Sequence, residues 1–383
     1  MVWLWAGFLL FVVLMLALDL GVFHRKAHVV SVKEALIWSA VWVGLSLAFT
    51  GVVYFVYEHH WGGIGLYPDG IPGGESRAFL YPQTGSRAVV SYLAGYLTEK
   101  SLSIDNVFVI ALVFSTFRIP DLYQHRVLFW GILGAVVLRG IFIFVGAELI
   151  ERFVWVIYVF GGFLIFTAFR LLFAGSEHDP NKSMVVRLSY KYLPVTDTLH
   201  GQKFYIPQSE LGEGEHLHDD PEHRRGPSKA AAKAAYVLTP LGLALIVVEF
   251  TDLIFAIDSI PAIFGITGDR FLVFTSNIFA ILGLRALYFA LAGVIREFKY
   301  LQPALAFVLG YIGVKMIVGH WLHDYAPGVS SMLPWITLGV ITVSITIGIL
   351  ASLWFPGEEE KAKDAEERKR QDELAAETPG SPM

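Results

Sequence analysis

Two eight-residue stretches carry the residue types that could do chemistry. One is Glu99-Lys100-Ser101-Leu102-Ser103-Ile104-Asp105-Asn106. The other is Asp252-Leu253-Ile254-Phe255-Ala256-Ile257-Asp258-Ser259, led by Glu249 three residues earlier. Each reads acid, five residues, Asp, then a small polar amide or hydroxyl. Each lies near the middle of an apolar run long enough to cross a bilayer. A carboxylate at that depth costs several kcal/mol, so it marks a functional site by default. The chemistry these groups offer is cation binding. Glu99, Asp105, Asn106, Glu249, Asp252, Asp258 and Ser259 supply hard oxygen donors of the kind that hold Mn²⁺, Mg²⁺ or Ca²⁺. The chain has no cysteine, so thiolate sites, thiol catalysis and disulfides are excluded.

Charge counting supports a cation. Five carboxylates face two buried guanidinium partners, Arg139 and Arg285, which leaves up to three negative charges. Lys100 pairs locally or points to water. A proton or a metal ion can sit on the same carboxylate, which is the basis of exchange between them. Geometry adds a condition. At about 100° per residue, Glu249 and Asp252 share a helix face, while Asp258 lies roughly 240° round from Asp252. A straight helix cannot aim all three at one point. Pro261 removes a backbone bond one turn back, near Ile257 and Asp258, and predicts a kink or break there. In the first stretch only Ser101 and Ser103 could bend the helix, weakly, by bonding to backbone.

The elements that must position these groups are membrane helices. Of 383 residues, 55% are apolar and only 16% charged, with mean hydropathy +0.56, against about 25% charge in a soluble domain. The predicted fold is all-α and polytopic, with about nine transmembrane helices near 3–23, 34–57, 88–117, 127–149, 153–174, 236–264, 271–294, 302–318 and 333–355. The runs are continuous rather than alternating, so no strands are expected. The first run has His24-Arg25-Lys26 after it and no base before it, which predicts an uncleaved span. With the N-terminus outside and the C-terminus cytoplasmic, 20 Lys and Arg fall in inner segments and 4 in outer ones. That asymmetry satisfies the positive-inside rule for a multi-pass protein of the cell membrane. The organisation is two N-terminal helices (1–57), an outer loop (58–87), spans three to five (88–174), a cytoplasmic loop (175–235), spans six to eight (236–318), an outer loop with the last span (319–355), and a cytoplasmic tail (356–383). The loop's Glu215-His216-Leu217-His218-Asp219-Asp220 cluster has no fixed ligand spacing and reads as a solvated linker.

The two halves repeat each other. Leu138-Arg139-Gly140 in the fourth span parallels Leu284-Arg285-Ala286 in the seventh, and Thr167-Ala168-Phe169-Arg170 in the fifth parallels Ile312-Gly313-Val314-Lys315 in the eighth. The order is the same in both: acid motif, buried Arg, late cation. A three-span unit repeated in tandem must lie inverted in the membrane, a common plan of secondary transporters with the site where the units meet.

At these residues the chain resembles the TerC family of integral membrane proteins, including its Alx-type members. The resemblance rests on Glu99 to Asn106, on Glu249 to Pro261, and on Ser276-Asn277-Ile278-Phe279-Ala280-Ile281-Leu282-Gly283-Leu284-Arg285-Ala286-Leu287-Tyr288, and covers about residues 1–320. It implies membership of a wider transporter group, manganese efflux as the activity, and a link to tellurite resistance. Where the family favours Lys late in the first repeat, this chain has Arg170. Tellurite is an oxyanion that a carboxylate-lined midplane repels, so direct tellurite transport does not follow.

The expectation is therefore a transporter and not an enzyme. It has no resident cofactor, Mn²⁺ is its substrate, protons are its coupling ions, and the bilayer is its medium. No nucleic-acid partner is expected. The rival is a membrane scaffold or stress-resistance component that binds a cytoplasmic partner through loop 175–235. An intramembrane aspartyl protease is disfavoured, because a Gly-x-Gly-Asp pattern is missing from the spans.

Overall fold

The computed structural model describes residues 2–21, 30–65, 82, 84–153, 155–173, 186, 189, 193–211, 235–291, 300–325 and 327–354. The acidic and histidine-bearing part of the loop 175–235 and the tail lie outside them.

Among the described residues ten helices follow in order: α1 (Val2–Gly21), α2 (Val32–Glu58), α3 (Gly85–Thr116), α4 (Asp121–Arg152), α5 (Trp155–Phe173), α6 (Pro240–Ile266), α7 (Arg270–Leu282), α8 (Leu284–Leu291), α9 (Leu301–Tyr325) and α10 (Pro327–Trp354). Seven of the described segments are long and apolar enough to cross a membrane: α2, α4, α5, α6, α7 with α8, and stretches of α9 and α10. The apolar helix Val2–Leu18 is shorter. The helix that carries Glu99, Lys100 and Asp105, α3, has 32 residues and is about 48 Å long at 1.5 Å per residue. The chain is an all-α, multi-pass integral membrane protein.

Local chemistry sets the helix starts. Ser31 accepts the amide of Glu34 at 3.2 Å and Thr84 that of Arg87 at 3.4 Å. Asp269 accepts from Phe271 and Leu272 at 2.9 and 3.2 Å. Each side chain satisfies an amide that the helix leaves orphaned. Before α6 the same logic corrects the sequence reading. Residues 236–238 are not helical but form a strand, Tyr236–Leu238, paired antiparallel with Tyr205–Pro207. Pro240 takes the first helical position, where a missing amide costs nothing, and Thr239 caps it.

Packing separates centre from rim. In the α7–α8 span 94% of the apolar window is buried, in α6 50%, in α2 only 17%. Between Val127 and Ala147 helix α4 is apolar on every face except at Arg139, as a membrane-spanning helix can be. Trp130, Val137, Ile141, Val145 and Leu149 are exposed, while Ala135, Arg139, Ile143 and Ala147 face inward. An aromatic layer joins α1, α2, α3 and α7. Phe49 meets Phe279 at 4.9 Å, and Trp5 meets Phe271 edge-on at 5.4 Å. Such pairs add about 0.5–1.5 kcal/mol each beyond area.

Two relations between helices position the site. Helices α4 and α6 run parallel: Gly131 faces Val248, Gly134 faces Glu249, Arg139 meets Asp252, and Gly146 faces Phe264. Helices α5 and α9 run antiparallel, because Gly161 faces Gly313 while Ala168 faces Gly310. Pro261 lies inside a continuous α6, so the break expected there is not formed. Residues Ser259 to Ile266 around it are all buried, and their packing holds the helix together. The interrupted span is the seventh, which breaks at Gly283.

Candidate functional site

The site is built on one guanidinium. Arg139 of α4 is 1% exposed. Its Nη2 donates to Asp252 Oδ1 at 2.7 Å and its Nε to Asp252 Oδ2 at 3.2 Å. Its Nη1 donates to Glu99 Oε1, and to Ser259 Oγ and Asn277 Oδ1, the last two at 3.3 Å. Four helices (α3, α4, α6 and α7) thus meet at one side chain. Planar two-point pairing with a carboxylate is what a guanidinium does best.

The pattern of positions explains the convergence. Glu99 and Asn106 are seven residues apart, as are Asp252 and Ser259. Seven residues make almost two turns, so the first and eighth positions of each motif share one face. All four of these side chains are buried. The seventh positions point elsewhere. Asp105 is half-buried and does not bond Arg139. Asp258 is half-buried and accepts from Thr167 Oγ1 of α5 at 3.2 Å. Glu249 lies one turn before Asp252, its carboxylate packed on the backbone of Gly134, where an added Cβ would overlap it. The five carboxylates therefore do not converge on one point. Among the described residues no three or more Asp, Glu or His side chains come close enough to hold a metal ion.

The basic residues divide likewise. Lys100 donates to the carbonyl of Ala280 at 3.4 Å, beside the break at Gly283. Arg285 is buried, but on the far side of that break, lining a cleft with Trp38 and Trp42 of α2. In the later pair, Lys315 is buried while Arg170 is exposed. Ser101 and Ser103 do bond to backbone, donating to Leu97 and Glu99 carbonyls at 2.7 and 2.8 Å.

Several polar atoms here are buried without a hydrogen-bond partner: Glu99 Oε2, Asn106 Oδ1, Glu249 Oε2 and Asn277 Nδ2. A cavity of about 20 Å³ adjoins the Asn106 among them, lined also by Gly131, Ile132, Ala135, Thr251, Asp252 and Leu284. That is room for one water-sized guest. Asn277, Thr167 and Gly134 do not stand out as site residues in the sequence. The available signal for Asn277 is its place in a polar Ser276-Asn277 step inside an apolar run.

Fold and site define a class: a multi-pass helical membrane protein with a carboxylate–guanidinium cluster buried between its helices. The chain belongs to the TerC family. The model of the integral membrane protein TerC family matches residues 84–360. An uncharacterized membrane protein of Myxococcus xanthus is 44% identical over 351 residues, covering 91% of this chain and 92% of that one. Proteins named Alx, candidate membrane-bound redox modulators by that name, are 39% identical in Salmonella typhi (94% and 96% covered) and 41% in Escherichia coli K12 (84% and 87% covered). No solved structure matches the chain.

Proposed function

We propose that the protein is a secondary transporter that exports a divalent cation, Mn²⁺ first, across the cell membrane in exchange for protons. The observation that carries this reading is the buried cluster of Glu99, Asp252, Ser259 and Asn277, drawn from both halves of the chain. These are oxygen donors, with Asn106 close by, and hard cations prefer such donors. The two-unit architecture is supported by the way helices pair. Helix α4 runs along α6 as α7 runs along α3, where Gly95 faces Ser276, and α5 lies antiparallel to α9. An inverted repeat of spans three to five and six to eight predicts such an exchange of roles. Orientation follows from the charge asymmetry of the loops, with the N-terminus outside.

Moving two charges out against 100 mV, inside negative, costs about 4.6 kcal/mol. Efflux therefore needs coupling, and proton entry through the same carboxylates supplies it. The test is Mn²⁺ flux into and out of proteoliposomes holding purified wild type, Asp252→Asn or Asp105→Asn, with the pH gradient imposed in either direction. The reading expects wild-type flux that follows the gradient and is lost in Asp252→Asn. Folded wild type with no flux above empty vesicles would sink it.

The relatives' name favours a second reading, a stress-protective component acting on redox balance through a partner at loop 175–235. The chain has no cysteine, so such a role would not run through its own thiols. Deleting the loop separates the two: a transporter keeps basal flux, whereas a scaffold loses its protective phenotype.

A further inference from the structure

The Arg139 cluster is packed unequally on its two sides. Toward the C-terminus of α4 the helices close on one another. A Cβ on Gly95 would lie 3.0 Å from Ser276 Oγ, and one on Gly146 would lie 3.0 Å from the Phe264 ring. Residues Ser259 to Ile266 of α6 are all buried, and Arg270 ties the start of α7 to Glu148 and Glu151 at the end of α4. The cavity of about 20 Å³ lies on the other side, toward the start of α4: every α4 residue that lines it precedes Arg139. Asp252 and Asn106 line it too, and Asn106 Oδ1 is buried with no hydrogen-bond partner.

Three helix faces run on from that cavity. Residues four apart share a helix face. On α3 the face is Asn106, Ile110 and Phe114, on α4 it is Ile132, Leu128 and Gln124, and on α8 it is Leu284 and Tyr288. Ile110, Leu128 and Leu284 line the cavity. Phe114, Gln124 and Tyr288 meet in the next layer, all three buried. There the Tyr288 hydroxyl donates to Gln124 Oε1 at 2.9 Å, and its ring meets Phe114 edge-on at 5.5 Å. This layer stands between the cavity and the side of the membrane on which α4 begins. A cavity with room for one water-sized guest does not pass a divalent ion that keeps some of its waters, so a wall must move. Helices α3 and α4 have 32 residues each and α6 has 27, all continuous. Helix α8 has eight, and Gly283 parts it from α7. Interrupted helices of this kind adjoin the sites of many transporters.

We propose that α8 is the gate through which the transported cation reaches Asp252 and Asn106, hinged at Gly283 and held shut by the Tyr288–Gln124 hydrogen bond. It opens toward the side on which α4 begins, which is the cytoplasmic side of an exporter with its N-terminus outside. Arg139 stays in place, and protons and metal ion share the one route. This rests on the transport reading above.

The chain has no cysteine, so a single introduced thiol reports its own surroundings. Ile132→Cys places one in the cavity wall, and Ile143→Cys places one on the closed side of Arg139. Each is treated with a positively charged, membrane-impermeant methanethiosulfonate reagent, in inverted and in right-side-out membrane vesicles, with and without Tyr288→Phe. Ile132→Cys is expected to react faster in inverted vesicles, which present the cytoplasmic face. Tyr288→Phe keeps the ring and loses the hydrogen bond, and should raise that rate about fivefold. Ile143→Cys should stay slow in both backgrounds. Faster reaction in right-side-out vesicles overturns the proposal, as does an Ile132→Cys rate that Tyr288→Phe leaves unchanged. An equal rise at Ile143→Cys also overturns it, because the bond then holds the whole fold and not a gate. Mn²⁺ uptake by the same inverted vesicles tests the reading beneath it. Wild type with no uptake above vesicles lacking the protein overturns transport itself, a result distinct from any labelling rate.

Discussion

Asp252 grips Arg139 at two points, Nη2 to Oδ1 at 2.7 Å and Nε to Oδ2 at 3.2 Å. The other first-position acid, Glu99, reaches the same guanidinium from α3. One carboxylate binds in a fork and the other by a single nitrogen, so the two acids, alike in sequence, are unequal in the structure.

That inequality predicts unequal substitutions. Asp252→Asn removes the forked partner and leaves a buried guanidinium with one carboxylate. Truncating one side of a buried ion pair costs about 3–5 kcal/mol. The thermal midpoint in detergent should fall clearly more for Asp252→Asn than for Asp105→Asn, whose carboxylate bonds to no part of the cluster. Equal losses would mean that the fork does not stabilise the fold.

Gly134 is predicted to accept a side chain only if the Glu249 carboxylate leaves its place on the backbone. A methyl there overlaps the Glu249 carboxylate, and overpacking of this kind costs about 1–3 kcal/mol. Gly134→Ala should lower both stability and flux. Glu249→Asp, one methylene shorter, should recover part of the stability in the same chain. Without that rescue, the clash is not with Glu249.

The membrane helices are legible in the sequence because a soluble fold seldom tolerates so many long apolar runs, and the two site stretches stand out because charges within such runs are rare. Which acids meet is not legible. Counting residues places Asp258 off the Asp252 face, and only a kink or break at Pro261 would bring it back. The structure needs no such repair: positions one and eight of each motif already share a face, and the seventh position of the second serves another contact, to Thr167. The break at Gly283 is hidden for the opposite reason, because a lone glycine in an apolar helix is usually tolerated. Lys100, which reaches that break from another helix, is a tertiary feature that no local pattern records. Residues 236–238 read as helix because three apolar residues before a helical run look the same in either state.

A pH prediction comes from the link before α7. Asp269 caps that helix, and burial pushes its carboxyl above the ordinary range, against the Tyr57 hydroxyl and the two helix amides that pull it down. A carboxyl raised on folding contributes its stability at pH below its unfolded value and loses it as pH rises through the folded one. Asn caps a helix as well as Asp does and carries no charge. Asp269→Asn should therefore leave stability unchanged in acid and raise it toward neutral pH, flattening the profile. Thermal melts from about pH 4 to about pH 8 decide it, and a variant less stable at neutral pH would show that the charge on Asp269 is needed.

The last prediction concerns what holds the second half of the bundle to the first. In a bilayer, lipid tails are as apolar as leucine, so helices associate through close packing rather than through the hydrophobic effect. Helices α5 and α9 do this with glycine. A Cβ on Gly161 would lie 2.9 Å from the carbonyl oxygen of Gly313, and one on Gly313 would lie 2.7 Å from that of Gly161. The clash is with backbone on both sides, which no rotamer change relieves. Gly313→Leu must separate the helices and should cost about 3 kcal/mol or more. Gly162, one residue along, has open space around its Cβ position, so Gly162→Leu controls for helix propensity alone. If the two variants unfold at the same temperature, the α5–α9 contact contributes nothing that lipid does not replace. If Gly313→Leu unfolds first and also releases Thr167 from Asp258, the glycine pair is what carries α5 to the site.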